Sequence, residues 1–435
     1  MKQALKIKLS TFMQDPAIEN IFTIMGDRGG DIKFVGGCVR DAILERKTQD
    51  IDLATDLRPE DVVAILEENN VPYIKDKGIE YGTVTALISN IYFPDIKKVE
   101  ISSLRKDVET YGRQAKVEYS RHFQEDAMRR DFTINSLYAD FDGTLYDYFN
   151  GYEDLLEHKL IFIGDPDERI KEDYLRILRY FRFYATIDNM MLDQYALAAC
   201  VNNADNLYQL SPERIAKEFF MILDSKNPSK VLSLMKKGSI LKEIITGVTN
   251  FDTLDYLVDL ENKSKTILPN VTSGLVRRLA SITKPSKEIA GKNAEKLRLS
   301  KAQTKRLIDL SDPPFEVFNE IEKAQARRIL HNYGSELFQD VVLLRWSQEI
   351  SKSGSMDTST TEKWYDLLDM ASEWRPLEFG VKGSDVINRG IPKGKYVGEI
   401  LFELENWWQD RDFRPEKEEI LQELDNLVLK YQKNL

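Results

Sequence analysis

The stretch Phe34-Val35-Gly36-Gly37-Cys38-Val39-Arg40-Asp41, followed by Asp50-Ile51-Asp52-Leu53, decides the fold. Phe34 and Val35 close an apolar run that reads as a strand. Gly36 and Gly37 lack Cβ atoms, so the chain can turn tightly and bring its N–H groups close to a phosphate. Val39 to Leu44 reads as a helix start, whose N-terminus favours an anion. Arg40 adds a fork of donors for phosphate oxygens. In the second run a strand sends Asp50 and Asp52 to one face, and Ile51 and Leu53 to the other. Two carboxylates side by side repel unless a cation lies between them. Mg²⁺ takes oxygen ligands of this kind and keeps part of its shell for phosphates. Either piece alone is only a glycine turn or a pair of solvated acids. In this order they point to metal-assisted phosphoryl chemistry.

Outward from this stretch, short turn-rich apolar runs fill residues 32–149: Ile32–Val35, Asp50–Ala54, Thr83–Ile88, Lys98–Ser102 and Asn135–Ala139. A lead-in helix at 16–28 and a helix at Pro59–Asn69 accompany them, which makes an α/β head. After Gly151 the period becomes helical, in Tyr174–Ala185, Leu192–Val201, Ser211–Leu223 and Pro228–Lys236. Thr283–Lys287 reads as a link. Ser351–Thr361, rich in Ser and Thr, is the most linker-like segment, with helices at Glu399–Trp408 and Glu416–Tyr431 beyond it. The expected divisions are 1–150, 151–225, 226–350 and 351–435.

The totals agree. A chain of 435 residues, 42% hydrophobic and 31% charged, holds more than one domain. Two cysteines, Cys38 and Cys200, make no disulfide framework and suit a reducing cytoplasm. No run is long enough to span a membrane, and the first residues lack a signal peptide's apolar core. A net charge of −11 argues against indiscriminate nucleic-acid binding. Between Arg277 and Arg306, however, ten Lys/Arg face only Glu288 and Glu295, a local excess of about +8. That segment is the candidate phosphate-backbone contact.

Further constellations carry chemistry. Glu100, in Val99-Glu100-Ile101, can stand as a third carboxylate beside Asp50 and Asp52, or as a solvated edge residue. Arg129-Arg130-Asp131-Phe132-Thr133-Ile134-Asn135 opens a strand-like run whose arginines suit phosphates or a ribose and base edge, with Asp131 and Asn135 suited to ribose hydroxyls. Asp173 and Arg176, in Glu172-Asp173-Tyr174-Leu175-Arg176, fall at i and i+3 of a helix and project side by side. Such a pair is usually a weak surface bridge. As a fixed acceptor beside a fixed donor, it would instead accept cytosine and adenine and reject uracil and guanine. Arg179 and Arg182 continue the spacing, but each three-residue step drifts by about 60°, so the four do not share one face. Ser211-Pro212 begins a helix in which Glu213, Arg214 and Glu218 hold a neighbour by charge-assisted bonds. His122, His158 and His331 are isolated, and there is no Walker A loop.

These motifs together resemble the bacterial class II tRNA nucleotidyltransferases (CCA-adding enzymes), within the polymerase-beta-like nucleotidyltransferases. The likeness runs through Gly-Gly-Cys-Val-Arg-Asp with Asp-Ile-Asp, Arg-Arg-Asp-Phe-Thr-Ile-Asn, Gly-Asp-Pro-Asp-Glu-Arg-Ile, Glu-Asp-Tyr-Leu-Arg and Ser-Pro-Glu-Arg-Ile-Ala-Lys-Glu, over roughly residues 32–220. It continues more weakly in Gly390-Ile391-Pro392-Lys393-Gly394, Val397-Gly398 and Trp407-Trp408.

The resemblance implies an α/β nucleotidyltransferase head with a mixed sheet, then all-α neck, body and tail. It implies Asp50 and Asp52 as ligands of two Mg²⁺ ions, with Gly36, Gly37 and Arg40 at the triphosphate. Arg129, Arg130 and Asp131 fall near the ribose, Asp173 and Arg176 at the base, and Arg179 and Arg182 at the nucleotide site. Gly164–Arg169 is hinge-like. Arg105, Asp107 and Arg113 belong to a segment similar to the family's flexible loop, here of full length. With Gly78–Thr83 it favours CCA-adding over CC-adding enzymes or poly(A) polymerases. The implied reaction adds C, C and A to a tRNA 3′ end from CTP and ATP, without a nucleic-acid template and with release of pyrophosphate. The partner implied is the tRNA acceptor arm, and no protein partner. The alternatives are a poly(A) polymerase or A-adding enzyme, and a non-catalytic RNA-binding protein on the same scaffold. Pure binding needs no paired acids.

Overall fold

The computed structural model describes residues 5–48, 50–89, 97–111, 114–267, 274–355 and 357–432, with side chains except at 107–117 and 264–267. Contacts divide the chain into two units. The first is Met1–Ser225 with Leu234–Ile244, the second Lys226–Ser233 with Ile245–Leu435.

In the first unit, α1 (Pro16–Gly26) starts on Asp15, whose side chain accepts from the Ala17 amide, with Pro16 at the first helical position. Then follow β1 (Ile32–Val35), α2 (Gly37–Ile43), β2 (Ile51–Thr55), α3 (Pro59–Glu68), β3 (Tyr73–Ile74), β4 (Thr83–Ile88), β5 (Lys97–Ser103), β6 (Arg105–Tyr111), β7 (Gln114–Tyr119), α4 (Phe123–Met128), β8 (Tyr138–Ala139) and β9 (Leu145–Tyr146). Among the described residues the main sheet has the order β3-β4-β5-β2-β1-β8-β9. It is mixed: β2 and β5 are parallel, and the other neighbours are antiparallel. Every β1 residue is buried, as a central strand covered on both faces requires.

The unit continues with α5 (Gly151–Leu156), β10 (Lys159–Leu160), α6 (Pro166–Glu172), α7 (Leu175–Thr186), β11 (Met191–Leu192), α8 (Gln194–Asn202) and α9 (Pro212–Leu223). Phe132, Phe162, Tyr180 and Phe183 interlock here, with Phe132 4.6 Å from Phe162 and edge-on to Phe183 at 5.4 Å. The chain passes through α10 (Pro228–Lys237) and α11 (Leu241–Ile244).

The second unit is helical: α12 (Asp252–Ile267), α13 (Leu275–Ser281), α14 (Lys287–Lys296), α15 (Lys301–Ser311), α16 (Lys323–Tyr333), α17 (Ser335–Ser353), α18 (Thr358–Glu373), α19 (Gly383–Ile387), α20 (Lys395–Asp410) and α21 (Lys417–Gln432). Its last helices close over Val386, Ile400, Leu404, Trp408 and Leu424.

Four expectations are corrected. The loop-like segment from Arg105 is a hairpin of two paired strands, with a register shift between Asp107 and Glu109. The Asp107 side chain and Arg113 lie outside the described residues. The run from Arg129 is no continuous strand: Phe132 makes an isolated antiparallel bridge with Phe162, Thr133–Asn135 is a 3₁₀ turn, and a named strand starts only at Tyr138. Ser351–Thr361 is mostly helix, because Asp357 caps α18 by accepting from the Thr360 amide. The fourth concerns the basic segment. Arg277 and Arg278 are buried and donate to Glu261, Arg277 also reaches Asp340, and Arg306 donates to Asp340 at 2.6 Å. These three cations serve the interior, and the excess charge left at the surface is smaller than the count suggests.

Candidate active site

Gly36 turns with φ +72°, a conformation that side-chain-bearing residues avoid. A Cβ there would stand 3.2 Å from Arg130 Nη1. The Gly36 N–H donates to the Leu137 carbonyl at 3.0 Å, so it makes the turn rather than meeting an anion. The amides that open α2 begin at Gly37, where a Cβ would meet nothing nearer than Arg40 Nη2 at 3.8 Å. The Cys38 thiol lies 3.3 Å from the Val35 carbonyl and 3.4 Å from that of Asp52, tying α2 to the acidic strand.

Asp52 sits in β2 with Ile51 and Leu53 buried on the opposite face, and Asp50 immediately precedes the strand. Parallel register places Glu100 of β5 directly beside Asp52, on an inner strand of the sheet, with its side chain exposed. Burial, then the Glu100 charge and more weakly that of Asp50, push Asp52 up to about 6 against the pull of Arg130. Asp52 is therefore held where its charge is disfavoured. Among the described residues no three His, Cys, Asp or Glu side chains already converge as a metal cluster.

The arginines are organised by buried acids, one of which, Asp126, carries no motif of its own in the sequence. Asp126, 1% exposed on α4, accepts from Arg129 Nε at 2.8 Å, Arg130 Nη2 at 3.0 Å and the Tyr138 hydroxyl at 2.7 Å. Burial opposes its ionisation, yet Arg130 and Arg129 hold its carboxyl well below the usual range. The signal was present, since Asp126 stands three and four residues before the two arginines, which follow directly on the end of α4. Asp131 is also buried. It accepts from the Phe132 amide at 2.9 Å, Asn135 Nδ2 at 3.3 Å and Arg179 Nε at 2.6 Å. Asn135 in turn accepts from Arg40 Nη1 at 2.7 Å. The chain Arg40–Asn135–Asp131–Arg179 thus joins the glycine turn to α7. In this geometry Asp131 and Asn135 hold arginines instead of offering open groups to a ribose.

Asp173 and Arg176 do not share a helix face. Asp173 has extended backbone (φ −153°) at the end of α6, and Arg176 lies in α7. Each is fixed from elsewhere. Arg214 donates to Asp173 at 2.6 Å, and Arg176 donates to Glu172 at 2.5 Å and to the carbonyls of Arg169 and Arg129. Arg182 donates to the buried Glu218 of α9 at 2.5 Å. Arg214 and Glu218 thus hold α9 as expected, whereas Glu213 is exposed. Gly164, with φ +83°, precedes the α6 cap Asp165. Arg105 donates to the Tyr81 carbonyl.

Comparison with known proteins fits this geometry. A family described as "Poly A polymerase head domain" matches residues 32–161, and "Probable RNA and SrmB- binding site of polymerase A" matches 189–251. The chain is 32% identical to the human mitochondrial CCA tRNA nucleotidyltransferase 1, over 94% of this chain and 92% of that one. The chain belongs to the CCA tRNA nucleotidyltransferases. The CCA-adding enzyme of Streptococcus gordonii is 31% identical over 87% of this chain and 88% of its own, so the likeness spans bacterial and mitochondrial members. The crystal structure of the Bacillus stearothermophilus CCA-adding enzyme in complex with CTP superposes with a TM-score of 0.72 at 24% identity, covering 98% and 100% of the two chains. As a nucleotidyltransferase, the protein carries the family's mixed-sheet head and helical remainder. No helix among the described residues is long and apolar enough to cross a membrane.

Proposed function

We propose that this enzyme adds C, C and A in turn to the 3′ end of tRNA, using CTP and ATP and choosing each nucleotide with protein side chains. The primer's 3′-oxygen bonds to the α-phosphorus, the bond to the β-phosphate breaks, and pyrophosphate leaves. The observation that carries this reading is the register of Asp52 against Glu100 beside a glycine turn linked to an arginine chain.

Asp50 and Asp52, with Glu100 adjacent, fit divalent metal. They are hard oxygen donors, and the charge of Asp52 is disfavoured until a cation arrives. Two Mg²⁺ ions held there would supply a more acidic 3′-hydroxyl and neutralise the departing pyrophosphate. The Gly37 turn and Arg40 receive the triphosphate, and Arg179 and Arg182 stand at the same nucleotide. Arg129 and Arg130, locked by Asp126, face the sugar side. Asp173 and Arg176 read the base as separately anchored acceptor and donor. Groups that cannot reorient leave a mismatched base with unpaired polar atoms, which costs more than a matched bond gains. The exposed cations of α14, α15 and the turn between them, including Lys292, Lys296, Arg298 and Lys301, remain the candidate contact for tRNA phosphates. We assign the enzyme to the cytoplasm, which suits its two buried free thiols.

The test is incubation with tRNA lacking its last three nucleotides. CTP alone should extend it by two, ATP alone should give no extension, and both together should extend it by three. Long adenosine tails on unrelated RNA would identify a poly(A) polymerase instead.

A further inference from the structure

We infer that Phe183 is a positioning residue for the incoming triphosphate: its ring gathers Arg40, Arg179 and Arg182 into one anion-receiving cluster. The inference rests on the proposal that these arginines face the nucleotide. The guanidinium carbons lie 5.4, 5.4 and 4.0 Å from the ring centroid, in that order. Arg40 comes from α2 beside the glycine turn, and the other two come from α7, so a single ring collects cations from two elements. Phe183 is buried and held edge-on against Phe132, the residue after Asp131.

What matters is which parts of each guanidinium remain available. Carboxylates take the Nε edges: Asp41 at 3.0 Å from Arg40, Asp131 at 2.6 Å from Arg179, and Glu218 at 2.5 Å from Arg182. Asn135 takes Arg40 Nη1, and Asp41 also meets Arg40 Nη2 at 2.9 Å, so Arg40 adds charge to the cluster while the open donors belong to Arg179 and Arg182. The aromatic ring supplies the remaining attraction, with all three guanidinium carbons within 5.4 Å of its centroid. A cation–π contact draws on the ring's quadrupole and needs no further acceptor on the N–H donors. Among the described residues no hydrogen bond engages the Nη atoms of Arg179 or Arg182, and Arg179 Nη1 approaches Glu218 only at 4.0 Å. A further carboxylate in place of the ring would consume those donors and repel phosphate. Phe183 gathers three like charges and leaves the Nη donors of Arg179 and Arg182 for a polyanion.

The test replaces Phe183 in the full chain with 4-fluoro-, 3,5-difluoro- and 3,4,5-trifluorophenylalanine, which withdraw π density while nearly preserving shape. Phe183→Leu and Phe183→Tyr accompany the series. Inorganic tripolyphosphate, as a competitive inhibitor, reports the anion cluster without any base. The KM for CTP and for ATP and the tripolyphosphate Ki should climb stepwise with fluorination, to about ten-fold for the trifluoro ring and for leucine. The KM for tRNA and the thermal midpoint of the fluorinated proteins should stay unchanged, and tyrosine should resemble wild type. A flat fluorination series in a wild-type enzyme that tripolyphosphate inhibits would overturn the role of Phe183. A wild-type enzyme insensitive to tripolyphosphate would instead remove the placement of the arginines at the nucleotide, and this inference with it.

Discussion

At the scale of single residues, the site is built from charges placed where they are uncomfortable. Asp52 is the clearest case, raised to about 6 by burial and by the neighbouring carboxylates. Neutralising it should separate stability from function. Asp52→Asn should abolish nucleotide incorporation while the urea midpoint, without divalent ions, rises or stays level, because a disfavoured charge has gone. Residual turnover near wild type would remove Asp52 from the reaction. Arg176 poses a different question, since its guanidinium is braced by Glu172 and two carbonyls. Arg176→Ala should relax the choice among the four triphosphates by about ten-fold or more, and should change tripolyphosphate inhibition little. Competition assays with mixed nucleotides would measure it, and unchanged selectivity would end the base-reading role.

At the scale of elements, α4 and the turn after it form a clamp around Asp126. Asp126 and Asp131 both sit below their ordinary value of 3.8. A carboxyl depressed in the folded state stabilises it fully above the unfolded value, and that contribution is lost as pH falls through the folded one. The head should therefore lose stability below about pH 4, and Asp126→Asn should flatten that acid limb while lowering stability at neutral pH by about 3–5 kcal/mol, the usual cost of breaking a buried pair. Urea titrations at pH 7, 4 and 3 would read both effects.

The elements also show what the sequence could disclose. Strong local chemistry was legible: the glycine turn, Asp52 facing away from the buried Ile51 and Leu53 of β2, and the Pro212 helix start appear where their residue types put them. What escaped depended on partners distant in the chain. The β6–β7 hairpin forms because two polar segments pair with each other, and polar strands carry no hydrophobic period to betray them. Asp173 stands outside the helices because its two oxygens accept from Leu175 N and from Arg214 respectively. Glu261 and Asp340 drew Arg277 and Arg278 inward from 16 and 63 residues away, a distance no local charge count can see.

At the scale of the whole molecule, the two units divide the labour. The first holds every residue proposed for chemistry. In the second, the last helices are pinned to α16 by a bidentate Arg327–Asp412 pair at 2.6 Å and reciprocal amide bonds between Asn332 and Gln409, which fixes α16 against α20. Replacing Lys292, Lys296, Arg298 and Lys301 together by Ala should raise the KM for tRNA several-fold at 0.15 M salt and make log Kd less steep in log salt, with nucleotide KM unchanged. Filter binding across a salt series would show it, and an unaltered slope would exclude that face.

The sealed thiols give this protein a built-in clock. Cys38 and Cys200 are both buried, and burial pushes Cys38 up to about 12 and Cys200 higher still. Alkylating reagents should therefore ignore the native chain and mark each sulfur only during a breathing excursion, Cys38 when the glycine turn parts from β2 and Cys200 when α8 lifts. Label counted by mass at those two positions would time local opening separately in the catalytic sheet and in the helices behind it, and a nucleotide that tightens the turn should slow the first timer and leave the second running.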